Sequence, residues 1–379
     1  MRPERAHRLA APAAALAVTL GLAACGGVVG AGNAGNVETA ESGPVEGELV
    51  ISNWPGYVDP GKNNSLAQFT DRTGVEIEYI EDINANTSFF GKIQPQLAQG
   101  ESGERSIFVV TDWMAKQMYD LGYLKKLDHS DLPTVFENIR PGIRSSALDP
   151  DREFSIPWQS GMTGIWVDQS QAPDITSVND LFDPKYRGRV TLLDEMRDTV
   201  PMIMKADGID PENATTEDWM AAIDKIREGV ESGQIRRVTG NDYTEDITSG
   251  NAVASIGWSG DGYLISNPDA EWVMPDEGCS LWTDNMVIPA GAPNEAAALE
   301  YMNYVYEPEV QAPITAYINY VTPVDGVKEI FEQEGDKALA KDPLIFPSDE
   351  FTKNCSAQVN PPVESTEEIT RAFEDVISG

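Results

Sequence analysis

Histidine is nearly missing from this sequence, with two in 379 residues, and only His129 lies beyond the first 24 positions. A His-rich metal centre is thereby excluded, and a Ser-His-Asp or Cys-His catalytic device would have to be built on His129 alone. That residue stands in Leu127-Asp128-His129-Ser130-Asp131, which reads as a polar turn. Cysteine is scarce as well, with Cys25, Cys279 and Cys355 the whole complement. Bases are outnumbered, 27 Lys and Arg against 62 Asp and Glu, for a formal net charge of -35. Such a balance argues against nucleic acid or an anionic membrane surface as a partner. It suits a cationic ligand, although most of these acids serve as solvated surface. No Walker loop occurs. The one GxGxxG match, Gly30 to Gly35, has neither a strand before it nor a helix after it and is no dinucleotide site.

What is present begins at the N-terminus. Arg2, Arg5 and Arg8 precede an apolar run from Leu9 to Leu22, shorter than the roughly 20 residues a bilayer core requires, and small residues follow it. These are the marks of a bacterial export signal. The sequence Leu22-Ala23-Ala24-Cys25 resembles the lipobox of bacterial lipoproteins, which implies that residues 1–24 are removed and that Cys25 carries a lipid. The protein is then expected outside the cytoplasm, tethered to the cell membrane. Residues 25–46, rich in Gly, Ala, Asn, Ser and Glu, read as a flexible tether. With Cys25 assigned to lipid, Cys279 and Cys355 remain as a pair, and an oxidising exterior favours their bridging.

From Glu48 onward the pattern alternates between short apolar strands and amphipathic helices. Strands are expected at 48–52, 75–79, 105–110, 164–167, 190–193, 253–257 and 286–289. Helices are expected to end at Arg72 before Gly74 and at Leu121 before Gly122, and to cover 217–228, 295–306 and 367–377. This alternation argues for α/β sheets with helices on their faces, arranged as two lobes with a cleft between them.

A series of motifs in order and spacing resembles the extracytoplasmic substrate-binding proteins of ABC importers for spermidine and putrescine. They include Asn53-Trp54-Pro55-Gly56-Tyr57, Phe69 to Gly74, Gly122 to Asp128, Ser155 to Trp158, Asp183 to Gly188, Leu193 to Asp198, Trp258-Ser259-Gly260, Pro275 to Gly278 and Trp282-Thr283-Asp284. The resemblance implies a two-lobed, periplasmic-binding-protein-like α/β fold of type II. One lobe would comprise residues 47–160 plus 284–324, the other 161–283 plus 325–379. It implies no cofactor, no metal and no chemical step, a polyamine as ligand and ABC permease subunits as partners. Carried over by position, the ligand pocket falls on Trp54, Tyr57, Thr111, Asp112, Trp113, Glu195, Asp198, Trp258, Trp282, Asp284 and Tyr320. Asp261 joins them because Trp258-Ser259-Gly260-Asp261 closes a strand in a glycine turn, a common binding position in α/β sheets.

The chemistry is coherent. A polyamine is a methylene rod with ammonium groups at its ends, so it needs separated carboxylates and aromatic walls. Other readings stay open at the level of single residues: Glu195 and Asp198 could merely complement a helix N-terminus, and Trp54 could be core. This chain also departs from the family, with Pro55-Gly56 where Thr-Glu is usual, Asp112 for a neutral hydroxyl, Trp113 for tyrosine, and the Asp and Glu lengths exchanged at 195 and 198. Rival ligands on the same fold are an osmolyte, thiamine or an iron complex. An exported glycosidase using Asp198 and Asp284 as paired carboxylates is the rival from another class.

Overall fold

A computed structural model describes residues 37–378; the export signal, Cys25 and the glycine-rich match at 30–35 lie outside the described residues. Ten strands build the central sheet: β1 (Glu48–Asn53), β2 (Glu76–Glu81), β3 (Ile107–Thr111), β4 (Ile156–Asp168), β5 (Val190–Leu193), β6 (Ile235–Thr239), β7 (Ala254–Trp258), β8 (Ala270–Val273), β9 (Ser280–Val287) and β10 (Ser356–Ala357). The order is β2-β1-β3-β9-β4-β7-β5-β6, with β10 paired to β9 and β8 to β4. β1, β2 and β3 run parallel, as do β5, β6 and β7. The two parallel sets are joined through β9 and β4, which pair antiparallel with each other and with β3 and β7, respectively.

The parallel strands are apolar because helices cover them. β3 and β7 are buried along their whole length, whereas β2, at the sheet edge, has no fully buried residue. Asn64 caps the helix Ser65–Thr73 by accepting from the Ala67 N–H, and Gly74 ends it at φ +78°, a conformation that favours glycine. The helix Thr216–Glu231 opens with a capping box between Thr215 and Asp218 and packs against the last helix, Thr366–Ser378.

Besides adding β6, β8, β10 and the helices Asn86–Leu97, Met196–Ala206 and Pro308–Ile318, the structure departs from the sequence reading at four places. β9 begins at Ser280, not at 286, so Asp284 lies inside the strand. β4 spans 13 residues where only 164–167 read as a strand; Pro157, Gly161 and Gly164 interrupt the apolar pattern without breaking the ladder, and a register shift falls between Pro157 and Gln159. The helix Val327–Glu334 packs on Pro308–Ile318, and Asp325 N–H donates to Asn138 O. This stretch therefore stays with the first strand set, although the sequence grouped all of 325–379 with the second.

The fourth departure concerns the tether. Lys126 N–H donates to Glu38 O and Ala40 N–H to Lys126 O, both at 2.8 Å. Ala40 is buried, and Lys125 Nζ lies 2.9 Å from Glu38 and 3.0 Å from Glu295. The segment from Glu38 to Glu41 is thus a docked strap, because Lys125, itself largely covered, supplies a cation for two carboxylates that composition alone could not assign.

Candidate functional site

A narrow pocket opens where the carboxyl ends of both parallel strand sets converge, the place where α/β sheets present ligand-binding loops. Trp54 directly follows β1, Thr111 ends β3, Glu195 follows β5, Asn241 follows β6 and Trp258 ends β7. β9 contributes Trp282 and Asp284, and the crossing segment after Ile318 contributes Tyr320. That segment is tied to β4 by reciprocal bonds between Ser160 and Val321.

Four carboxylates line the pocket, those of Glu195, Asp198, Asp261 and Asp284, together with six aromatic rings. Among the described residues no Lys, Arg or His lines it. Each acid is held by uncharged donors. Asp284 accepts from Thr111 Oγ1 at 2.7 Å and Tyr57 O–H at 3.2 Å. Asp198 accepts from Thr163 Oγ1 at 2.7 Å, Gln358 Nε2 at 3.0 Å and Trp258 Nε1 at 3.2 Å. Asp261 accepts from Tyr243 O–H at 2.5 Å and from Tyr320 O–H. Glu195 reaches to the N-terminus of the helix Asn86–Leu97, accepting from the Asn86 N–H at 2.6 Å and its side-chain amide at 3.1 Å.

Burial disfavours the charged forms. It pushes the Glu195 carboxyl up to about 8, with repulsion from Asp194 and Asp198 adding to it and the Asn86 donors opposing. Asp284 is pushed up to about 7 against the pull of Thr111 and Tyr57, and Asp261 to about 6 against its phenol donors. Asp198 is raised by the same cause and held back by its three donors and by the Arg197 charge. Arg197 flanks the acidic end and stacks 3.7 Å from the Trp113 ring centre; burial lowers it to about 10.

The rings form a continuous wall between the acids. Trp54, Trp258, Trp282, Tyr320 and Tyr57 follow one another edge to face at centroid separations of 5.7, 6.5, 5.3 and 5.4 Å. Glycines make room for two of them: a Cβ on Gly161 or Gly260 would come within 2.4 Å of the Trp282 or Tyr320 ring, respectively.

Residues 64–347 match the family model described as bacterial extracellular solute-binding protein. The chain belongs to that family. The spermidine/putrescine-binding periplasmic protein of Escherichia coli is 26% identical over 310 residues, covering 81% of this chain and 85% of the relative. The putrescine-binding periplasmic protein SpuD of Pseudomonas aeruginosa is 26% identical over 358 residues, covering 87% and 92%. Among solved structures, a putative spermidine/putrescine ABC transporter protein from Listeria monocytogenes superimposes with a TM-score of 0.75 at 25% identity, over 87% of this chain and 98% of the other. The periplasmic-binding-protein-like α/β fold is thereby established for this solute-binding protein.

Ten of the twelve residues singled out in the sequence line the pocket. Asp112 and Trp113 do not. The chain turns into the helix Asp112–Asp120 directly after Thr111, which swings both side chains away. Asp112 accepts from Asn285 Nδ2 at 2.6 Å and from Ser146 Oγ at 3.2 Å, within 3.8 Å of Arg152, and Trp113 backs Arg197. Sequence reasoning missed Pro55, Asn86, Asn241, Tyr263 and Gln358. The strand-end rule that marked Asp261 also covers Asn241. Gln358 has no local signal, because it arrives from a segment 70 or more residues beyond the strand it joins. Cys279 and Cys355 are disulfide-bonded, as the sequence suggested. Among the described residues no helix is long and apolar enough to cross a membrane.

Proposed function

We propose that this solute-binding protein captures a polyamine, putrescine or spermidine, outside the cytoplasm and delivers it to the permease of an ABC importer. The observation that carries the reading is the set of four buried carboxylates joined by aromatic rings with no basic residue among them. Glu195, Asp198 and Asp284 act on one another electrostatically, while Asp261 sits in its own phenol cage beyond Tyr320. A ligand with an ammonium at each end would meet both groups of acids and lay its methylenes on the rings. A single quaternary ammonium would leave one group of buried carboxylates without a counter-charge.

Binding is the whole mechanism in this reading, with no chemical step. The two strand sets form lobes, the first including the helix Val327–Glu334, and β4, β9 and the Tyr320 segment serve as the hinge between them. Cys25 carries the lipid that keeps the protein at the membrane. The relatives named above bind polyamines by their descriptions, which supports the same ligand class here.

Calorimetric titration with putrescine, spermidine, spermine, glycine betaine and thiamine tests the proposal. Binding is expected for polyamines and absent for glycine betaine, a zwitterion with one quaternary ammonium, and for thiamine, a monocation. Tighter binding of betaine or thiamine than of every polyamine overturns it.

A further inference from the structure

The segment that delivers Gln358 has little to hold it. β10 is two residues long, paired to β9 only through Ser356 with Ser280 and Ala357 with Leu281. A ladder of that length is well below the strand lengths that persist in globular proteins. The Cys279–Cys355 disulfide closes directly before it on both strands. Lys205 Nζ reinforces the joint, donating to Cys279 O at 2.8 Å and to Asn354 O at 3.0 Å. Three residues past Cys355, Gln358 N–H donates to Leu281 O at 2.9 Å and its side chain enters the pocket to donate to Asp198 Oδ1. Two residues further, Asn360 Oδ1 accepts from Arg197 Nε at 2.6 Å.

We propose that the Cys279–Cys355 disulfide belongs to the binding machinery, clamping residues 355–360 to β9 so that Gln358 stays on Asp198 and sets the affinity of the pocket. The inference rests on the reading of this pocket as the polyamine site. Gln358 is then a positioning residue acting through Asp198, and the disulfide positions Gln358. Without the clamp the two-residue ladder frays, Gln358 leaves the pocket wall, and Asp198 keeps only Thr163 and Trp258.

A double-mutant cycle reads this coupling. Putrescine affinity is measured calorimetrically for the unaltered protein, Gln358→Ala, Cys279→Ser with Cys355→Ser, and the triple variant, each checked for a cooperative melt. Gln358→Ala is expected to weaken binding about tenfold, the usual worth of a hydrogen bond to a charged group. Removing the disulfide is expected to cost a similar factor, and adding Gln358→Ala to it less than about threefold more. A second variant keeps the disulfide closed: two glycines inserted after Ser356 displace Gln358 from its register and should reproduce the Gln358→Ala loss. Full multiplication of the two effects, or unchanged affinity in the glycine-insertion variant, overturns the inference. Failure of the unaltered protein to bind any polyamine instead overturns the functional reading on which it rests.

Discussion

Asp284 shows what a single residue must do here. It is buried, bonded only to hydroxyls, and has no cation in the pocket lining. Truncating one member of a buried charge pair costs about 2–5 kcal/mol, so Asp284→Ala is expected to weaken putrescine and spermidine binding at least tenfold. Trp258→Ala removes both a ring and the N–H on Asp198 and is expected to cost about 2 kcal/mol. Asp276, which accepts from Thr176 Oγ1 away from the pocket, is the control; equal binding by all three folded variants would refute the site. The raised carboxyls also fix a pH dependence. Without ligand, the folded chain keeps protons on Asp261, Asp284 and Glu195 up to about 6, 7 and 8 respectively, whereas the unfolded chain releases them near pH 4. The folded state binds more protons across that window, so these groups make stability fall as pH rises from about 4 to 8. A polyamine displaces those protons, so affinity rises over the upper part of the same range. Thermal melts with and without putrescine check both signs, and Asp284→Asn should flatten the ligand-free slope; a slope unchanged by that substitution would contradict the assignment. Trp54, Glu195 and Trp258 were legible through the order and spacing of the motifs that resemble the polyamine-binding family, while their residue types alone left core and helix-capping roles open. Asp112 and Trp113 were misplaced because one turn of chain after Thr111 reverses where side chains point.

Among elements, the parallel strands β1, β2, β3, β5 and β7 were the readable part, since their apolar runs have the period of what covers them, whereas β6, with Arg236 and Arg237 exposed at its centre, gave no such run. The sequence placed 190–193 as a strand, and the structure has β5 there. β4 and β9 were obscured by their position between the two strand sets, where both faces are buried and polar residues such as Thr163, Asp284 and Asn285 are buried among partners. No alternation survives in such a strand. The disulfide also belongs at this scale. It closes a loop of 76 residues in separation, for which the chain-entropy model gives about 4 kcal/mol. Denaturant titration of the Cys279→Ser, Cys355→Ser protein should show a loss of that order, and labelling of the unfolded, unreduced protein should find neither thiol. Two labelled residues would remove the basis for the loss.

At the scale of the molecule, the pocket is sealed by contacts between segments from opposite strand sets. Gly240, after β6, lies so close to Asn84, after β2, that a Cβ there would come within 2.4 Å of the Asn84 carbonyl oxygen. Tyr263 O–H donates to Pro55 O across the same opening at 3.3 Å, and Asn86 joins Glu195. Gly240→Ala places its methyl against Asn84, which does not line the pocket, and should oppose closure by about 1–3 kcal/mol, the usual cost of overpacking. Stopped-flow fluorescence should then show faster polyamine dissociation with little change in association; an unaltered dissociation rate would mean that this contact does not seal the pocket. If Cys25 is the anchor, Cys25→Ser should free the protein from the membrane fraction while leaving polyamine affinity intact, and membrane retention of correctly processed mutant would point to another anchor. The placement of β9 has a consequence for descent with modification. That strand pairs with β3, β4 and β10, and it carries Trp282 and Asp284, so a substitution there disturbs pairing, closure and binding together. Lineages that acquire new ligands are therefore expected to vary first at pocket residues that belong to no strand, such as Pro55 and Asn241, and to inherit Trp282 and Asp284 unchanged.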